Sequence, residues 1–269
     1  LLTGKVVKKT LIRMRKFVGL IYLLYSGLIF FLLMLLVCPF IVLSTALFKE
    51  KTGRKMAFFF LKVWAWGFSL STFLWFSSQG RKSIDTDKAY IYVGNHGSFL
   101  DAVAIVICIP QAFSPLGKIE MLKIPVFGWI YKRLVVMIDR SSRESRDQSV
   151  AELRKDLADG QSILIFPEGT MNKTDEPLAP FYDGAFRLAI ETQTPIMPFA
   201  ILNSKEHLPR KNPLLLNPGI IDMKFGTAIP VDGLQATDLE KLKATTFSTI
   251  LSMLENPATG EAINLKTVH

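Results

Sequence analysis

From Phe17 to Phe48 the chain reads FVGLIYLLYSGLIFFLLMLLVCPFIVLSTALF, without one charged side chain. Coiled as a helix, this run is roughly 48 Å long, more than the ~30 Å hydrocarbon core of a bilayer. It is too long for the apolar core of a signal peptide and lacks a small-residue cleavage site, so it predicts a retained anchor. Pro39 predicts a kink or an end to the helix near Cys38, because proline lacks the N–H that the helix needs. A second apolar run, Met56 to Phe76, is broken only by Lys62. Together they predict an N-terminal membrane-embedded helical pair over residues 1–82.

The borders of these runs are all basic. Lys5, Lys8, Lys9, Arg13, Arg15 and Lys16 precede the first; Lys49, Lys51, Arg54 and Lys55 follow it; Arg81 and Lys82 follow the second. Positive charge favours the cytoplasmic face and anionic headgroups. Two complete spans would strand the middle border on the far side. The pattern therefore favours a pair that dips into one leaflet and returns, over two true spans. The net charge of +9 would suit a nucleic-acid binder, but with 49% hydrophobic residues the chain reads as a membrane protein with no nucleic-acid partner. Cys38 and Cys108 sit in apolar runs, which predicts reduced, buried thiols.

From about residue 83 strand and helix signals alternate. Ala89–Val93, Leu134–Ile138 and Ser162–Phe166 read as buried strands. Asp101–Ile109, Ser149–Leu157, Gly184–Thr192 and Thr237–Glu255 read as helices. Thr194–Ile201 reads as a strand whose prolines place it at an edge or bulge. This alternation predicts an α/β domain over residues 83–269, with a central, mostly buried sheet flanked by helices. The mostly polar tail after Pro257 predicts no core element.

The first β-to-α junction holds Asn95-His96-Gly97-Ser98-Phe99-Leu100-Asp101. Five residues of helix turn about 500°, so His96 and Asp101 cannot share a helix face. They can meet if His96 lies in the loop and Asp101 in the first turn of the next helix, with Ser98 as its N-cap. The carboxylate would then hold one ring nitrogen and leave the other free as a base. Ser98-x-x-Asp101 also fits a plain capping box, in which the acid serves only the helix. Phe166-Pro167-Glu168-Gly169-Thr170 follows another strand and puts an acid where strand ends often form sites, although a Pro-Glu-Gly turn alone would be unremarked. Arg140, after a buried strand, can fork onto a phosphate. Arg143 and Arg146 fit a solvated face better, and Lys118 alone would pass as a surface lysine.

Taken together, these residues resemble the glycerophospholipid acyltransferase family, above all its 1-acylglycerol-3-phosphate acyltransferase branch. The family's first motif, Asn-His-x4-Asp, is matched by Asn95, His96 and Asp101; its second, an arginine after a buried strand, by Arg140. Its third is matched in full by Phe166, Pro167, Glu168, Gly169 and Thr170, and its fourth, a proline in an apolar strand, by Pro198. Lys118 resembles a family lysine upstream of the second motif. One position departs: where many members carry an arginine after the threonine, this chain has Met171.

The resemblance implies transfer of a fatty acyl group from acyl-CoA or acyl carrier protein to a lysophospholipid hydroxyl at a membrane. No metal or other cofactor is implied. His96 is the implied base and Asp101 its orienting acid. Asn95, Lys118, Arg140, Phe166–Thr170 and Pro198 are implied to bind substrate. With Met171 in place of arginine, the phosphate role is expected to fall on Arg140 and Lys118, or the acceptor to carry another headgroup. Backbone amides near Gly97 or the third motif are candidates for the oxyanion. A serine hydrolase using Ser98 is the rival enzyme class, disfavoured because no Gly-x-Ser-x-Gly elbow is present. A lipid-binding protein with an inactive site is the rival from outside enzymes.

Overall fold

The computed structural model of the chain describes residues 2–256. The polar tail and the side chains of Lys5, Lys8 and Lys9 fall outside the described residues. Two helices open the fold, α1 (Leu2–Leu47) and α2 (Glu50–Thr72). After them come β1 (Leu74–Gln79), β2 (Ile91–Gly94), α3 (Asp101–Cys108), β3 (Phe113–Lys118), α4 (Phe127–Leu134) and β4 (Val136–Ile138). Next are α5 (Arg143–Ala158), β5 (Ser162–Ile165), α6 (Gly184–Thr192) and β6 (Ile196–Ile201). The short α7 (Ser204–His207), β7 (Gly219–Phe225) and α8 (Leu239–Glu255) complete it.

The strands form one sheet in the order β1-β7-β6-β2-β5-β3-β4. Strands β6, β2, β5, β3 and β4 run parallel; β7 turns against β6, and β1 follows β7. Alternate residues divide two cores, as the period-2 geometry of a strand requires. Tyr92, Leu164, Met197 and Phe199 face a layer built by α1, α2 and α3. Ile91, Val93, Ile163, Ile165 and Ile196 face α5, α6 and α8. This is the buried, helix-flanked sheet expected from the sequence. The sheet begins at Leu74, ahead of the change in composition near residue 82.

Two local expectations left alternatives open, and the structure removes one from each. Pro39 does not end the first helix, which runs on to Leu47. The turn around it is held by the fully or nearly buried Met34, Val37, Cys38 and Ile41, and such packing offsets the roughly 3 kcal/mol that an interior proline costs. Strand β6 is not at an edge, because β2 and β7 flank it. Its proline is accommodated by a bulge in the antiparallel partner. Phe199 pairs with Phe225 and Ile196 bridges Ile229, one residue more on the second strand. The carbonyl of Pro198 accepts from Gly226 N at 2.9 Å, and the missing N–H falls at that irregular point.

The helical pair is welded to the sheet domain along its length. Gly19 abuts the carbonyl of Leu214 so closely that an added Cβ would lie 1.9 Å from its oxygen. Arg133 of α4 donates to Thr45 Oγ1 at 2.9 Å, while the bonds from Tyr25 to Ser71 O at 2.7 Å and from Trp64 Nε1 to Phe30 O at 3.3 Å tie the two helices to each other. Lys62, the one charge in the second run, donates to the carbonyls of Ile109 and Pro110, both at 3.1 Å, where α3 ends. Arg54, counted in the middle basic border, is turned inward and donates to Asp156 at 2.8 Å and Ser114 at 2.6 Å. The Asp156 side chain is only 5% exposed, so losing its partner strands a buried charge. Arg54→Ala is expected to destabilise the protein by about 3–5 kcal/mol, read as a lower melting temperature in detergent. An unchanged melting temperature would show that the pair contributes nothing net.

Candidate active site

Five parallel strands end on one side of the sheet, and open α/β sheets present ligands at that carboxyl edge. The edge collects His96 after β2, residues 166–170 after β5, Lys118 at the end of β3, Arg140 after β4 and Ser204–Lys211 after β6. Residues separated by more than a hundred positions therefore converge.

His96 and Asp101 meet. Nδ1 of His96 lies 2.8 Å from Oδ2 of Asp101, whose side chain is 0% exposed. The same oxygen accepts from the amides of Gly97 at 2.7 Å and Ser98 at 2.9 Å, and Oδ1 accepts from the hydroxyl of Ser204. With donors converging on both of its oxygens, this carboxylate acts as an acceptor, so the ring contact is Nδ1–H donating to Asp101 and Nε2 is left as the acceptor nitrogen of the imidazole. Nε2 has no hydrogen-bond partner among the described residues, and the side chain is 22% exposed. Asp101 opens α3 as expected; just ahead of it Ser98 Oγ accepts from Leu100 N at 3.3 Å, and the fully buried hydroxyl donates to Leu208 O at 3.0 Å. That burial removes Ser98 as a nucleophile. The amide of Gly97, a candidate for the oxyanion, is likewise taken up by Asp101.

The third motif fastens the histidine loop. Oε1 of Glu168 accepts from the backbone N–H of His96 at 2.7 Å, Oε2 accepts from Ala179 N at 2.8 Å, and Asn172 N donates to His96 O at 2.7 Å. Burial pushes the Glu168 carboxyl above the usual range, and those two N–H bonds pull the other way. Phe166 stacks on the imidazole, with centroids 4.4 Å apart and planes 15° from parallel. Pro167 is buried and accepts from Tyr182 N at 2.9 Å; Thr170 is half-buried. Gly169 has φ +71°, and a Cβ there would sit 2.4 Å from Nη1 of Arg140 and 2.8 Å from the Tyr182 ring. Only glycine meets both demands, and the contact seats Arg140 against the third motif.

Lys118 and Arg140 are both exposed at the ends of neighbouring strands, where Lys118 pairs in register with Ile138. Arg146 is not simply solvated, because it donates to the carbonyl of Arg140. Two residues expected at substrate are turned into the protein instead. Asn95 spends its amide on both backbone groups of Ile201, at 2.9 and 2.7 Å, pinning β2 to β6. Pro198 lies in the core beneath α8, its ring beside Gly226, Thr249 and Met253.

Comparison with known proteins agrees with this geometry. A family model described as Acyltransferase matches residues 75–202. Residues 75–202 are therefore a segment of the acyltransferase family. It is 30% identical over 213 residues to a chloroplastic 1-acyl-sn-glycerol-3-phosphate acyltransferase of Brassica napus, covering 78% of this chain and 59% of that protein. It is 35% identical to a 1-acyl-sn-glycerol-3-phosphate acyltransferase of Cocos nucifera, covering 53% of this chain and 46% of the other. The chain thus spans about half to three fifths of the length of these curated relatives. Among solved structures, the 1-acyl-sn-glycerophosphate acyltransferase PlsC of Thermotoga maritima superposes with a TM-score of 0.77, over 92% of this chain and 99% of that one, at 23% identity. That likeness concerns the fold.

The chain also carries residues at the site that sequence reasoning passed over. Ser204, Lys205 and Arg210 lie beyond the matched segment, on the loop leaving β6. Ser204 holds the second oxygen of Asp101. Arg210 donates to the carbonyl of Met171 at 2.6 Å. The available signal was their place just after a strand parallel to β2, where a sheet of this kind presents ligand contacts.

Proposed function

We propose that this acyltransferase moves a fatty acyl group from acyl-CoA or acyl carrier protein to the 2-hydroxyl of 1-acylglycerol-3-phosphate, forming phosphatidic acid. The observation that carries the reading is the ring of His96, clamped at Nδ1 by a buried carboxylate and unpartnered at Nε2 among the described residues, on the sheet edge that also carries Lys118 and Arg140. Nε2 takes the proton of the acceptor hydroxyl as its oxygen attacks the thioester carbonyl. Asp101 stabilises the resulting imidazolium. When the tetrahedral intermediate collapses, the C–S bond breaks and the thiolate leaves with the proton from Nε2. No covalent enzyme intermediate is needed, since the thioester is already activated. Arg140 and Lys118 take the acceptor phosphate. With Gly97 N committed to Asp101, the amide of Thr170 in the third motif and that of Met171 just after it, both without partners among the described residues, are left to hold the oxyanion.

The names of the relatives support this acceptor. The helix from Arg13 to Leu47 is long and apolar enough to cross a membrane. Its exposed Leu20, Leu24, Leu28, Phe31 and Leu35, with Phe59, Val63, Trp66 and Leu70 of α2, give the enzyme an apolar seat on a bilayer. The basic borders favour the cytoplasmic face for the catalytic side. Lysolipid then enters from the bilayer and phosphatidic acid returns to it.

The test is an acyl-CoA assay of detergent-purified protein against lysolipids of different headgroups, with preference expected for the phosphate monoester. Equal transfer to a zwitterionic lysolipid would reassign the acceptor. Arg140→Ala is expected to raise the KM for the acceptor about 10- to 100-fold, the worth of one charge-assisted hydrogen bond of roughly 1.5–3 kcal/mol. A change confined to the donor KM would remove Arg140 from the acceptor site.

A further inference from the structure

We infer that the basic cavity beside β6 binds the phosphates of the acyl donor, on the opposite flank of His96 from Lys118 and Arg140. This rests on the acyl-transfer reading above and adds the place where the second substrate is held. The cavity has a volume of about 420 Å³, and its lining includes Gly97, Asn172, Lys173, Lys205, Arg210 and Lys211. In the sheet order, β6 lies to one side of β2, while β5, β3 and β4 lie to the other. Cations from the loop after β6 and cations from the ends of β3 and β4 therefore bracket the histidine from opposite sides. An acyl transfer between two phosphate-bearing substrates needs two such handles, so that thioester and hydroxyl converge on one imidazole.

Three details favour the donor for this cavity. Lys173 and Lys211 are exposed, so the mouth is open to water, from which a soluble thioester arrives. The cavity begins at Gly97, next to the base. The Lys205 chain lies across that glycine, so that an added Cβ would stand 2.4 Å from its Cε. Four cations line the cavity against the single carboxylate of Asp175, which pairs with Lys211 at 2.7 Å. Lys205 makes no ion pair among the described residues, so its charge is available to an incoming phosphate. Arg210 is fixed by the Met171 carbonyl through one nitrogen, and its guanidinium retains further donors.

The experiment combines kinetics with direct binding. In the Lys205→Gln and Arg210→Gln variants, the KM for acyl-CoA is expected to rise at least tenfold, with the KM for lysophosphatidate little changed. The rise should grow as salt is lowered in the wild-type comparison, because the site is solvent-open and screened. Binding of free coenzyme A to an inactive His96→Ala protein, followed by equilibrium dialysis, should weaken equally when Lys205→Gln is added and persist when Arg140→Ala is added. This arm needs no turnover, so it separates failure of the donor site from failure of the acyl-transfer reading. The inference is overturned if His96→Ala protein binds no coenzyme A, if Lys205→Gln binds it like the parent, or if only the acceptor KM moves.

Discussion

His96→Ala should lower acyl transfer by about 10²- to 10⁴-fold, the usual worth of a positioned general base, while the protein keeps its fold. The ring is partly exposed, and among the described residues its only hydrogen-bond partner is Asp101. Its removal opens space against Phe166 but leaves the loop tied through backbone bonds to Glu168 and Asn172. The check is the rate with saturating acyl-CoA and lysolipid, alongside the melting temperature. A variant of near wild-type rate would end the base assignment, whatever its stability.

Asp101 is expected to be costlier still, because it serves both chemistry and structure. Asp101→Asn keeps the shape but lets the ring adopt the wrong tautomer and removes the charge that steadies an imidazolium. In the serine-protease triad the same exchange costs about 10⁴-fold, and a loss of that order is expected here. Asp101→Ala goes further, stranding the amides of Gly97 and Ser98 and the hydroxyl of Ser204 in a fully buried site. Each stranded group costs roughly 1–3 kcal/mol, so this variant should unfold at markedly lower temperature as well as lose activity. If Asp101→Asn transferred acyl groups at half the parent rate or better, the carboxylate would be only a loop fastener.

Much of this site could be read from residue order. A histidine and an acid five apart across a strand-to-helix junction can meet in only a few ways, and the chain uses one of them. The helices around Gly184–Thr192 and Leu239–Glu255 announced themselves through apolar periodicity. What stayed hidden had no local signal. Strand β1 is the tail of an apolar helix-like run, and β3 contains Pro115 and Gly117, which lower strand propensity. Asn95 resembled a substrate ligand because its amide is polar; only the register of β2 against β6 shows it bonded to Ile201. Ser98 reads as a cap from its place before the helix, but nothing local announces that its hydroxyl also donates to the carbonyl of Leu208, 110 positions away. Lys205 and Arg210 are ordinary loop cations until the sheet order places them beside Gly97.

The leading helix makes contacts with the rest of the molecule at residue 19 and again at residue 45, a stretch of roughly 39 Å at helical rise. It is therefore a wall of the building and not a mooring rope. Trimming it away to obtain a water-soluble enzyme would uncover the apolar flank of α2, α3 and the sheet that it now roofs. On the proposed function, catalysis and membrane attachment would share one folding unit, so that neither could be removed without the other.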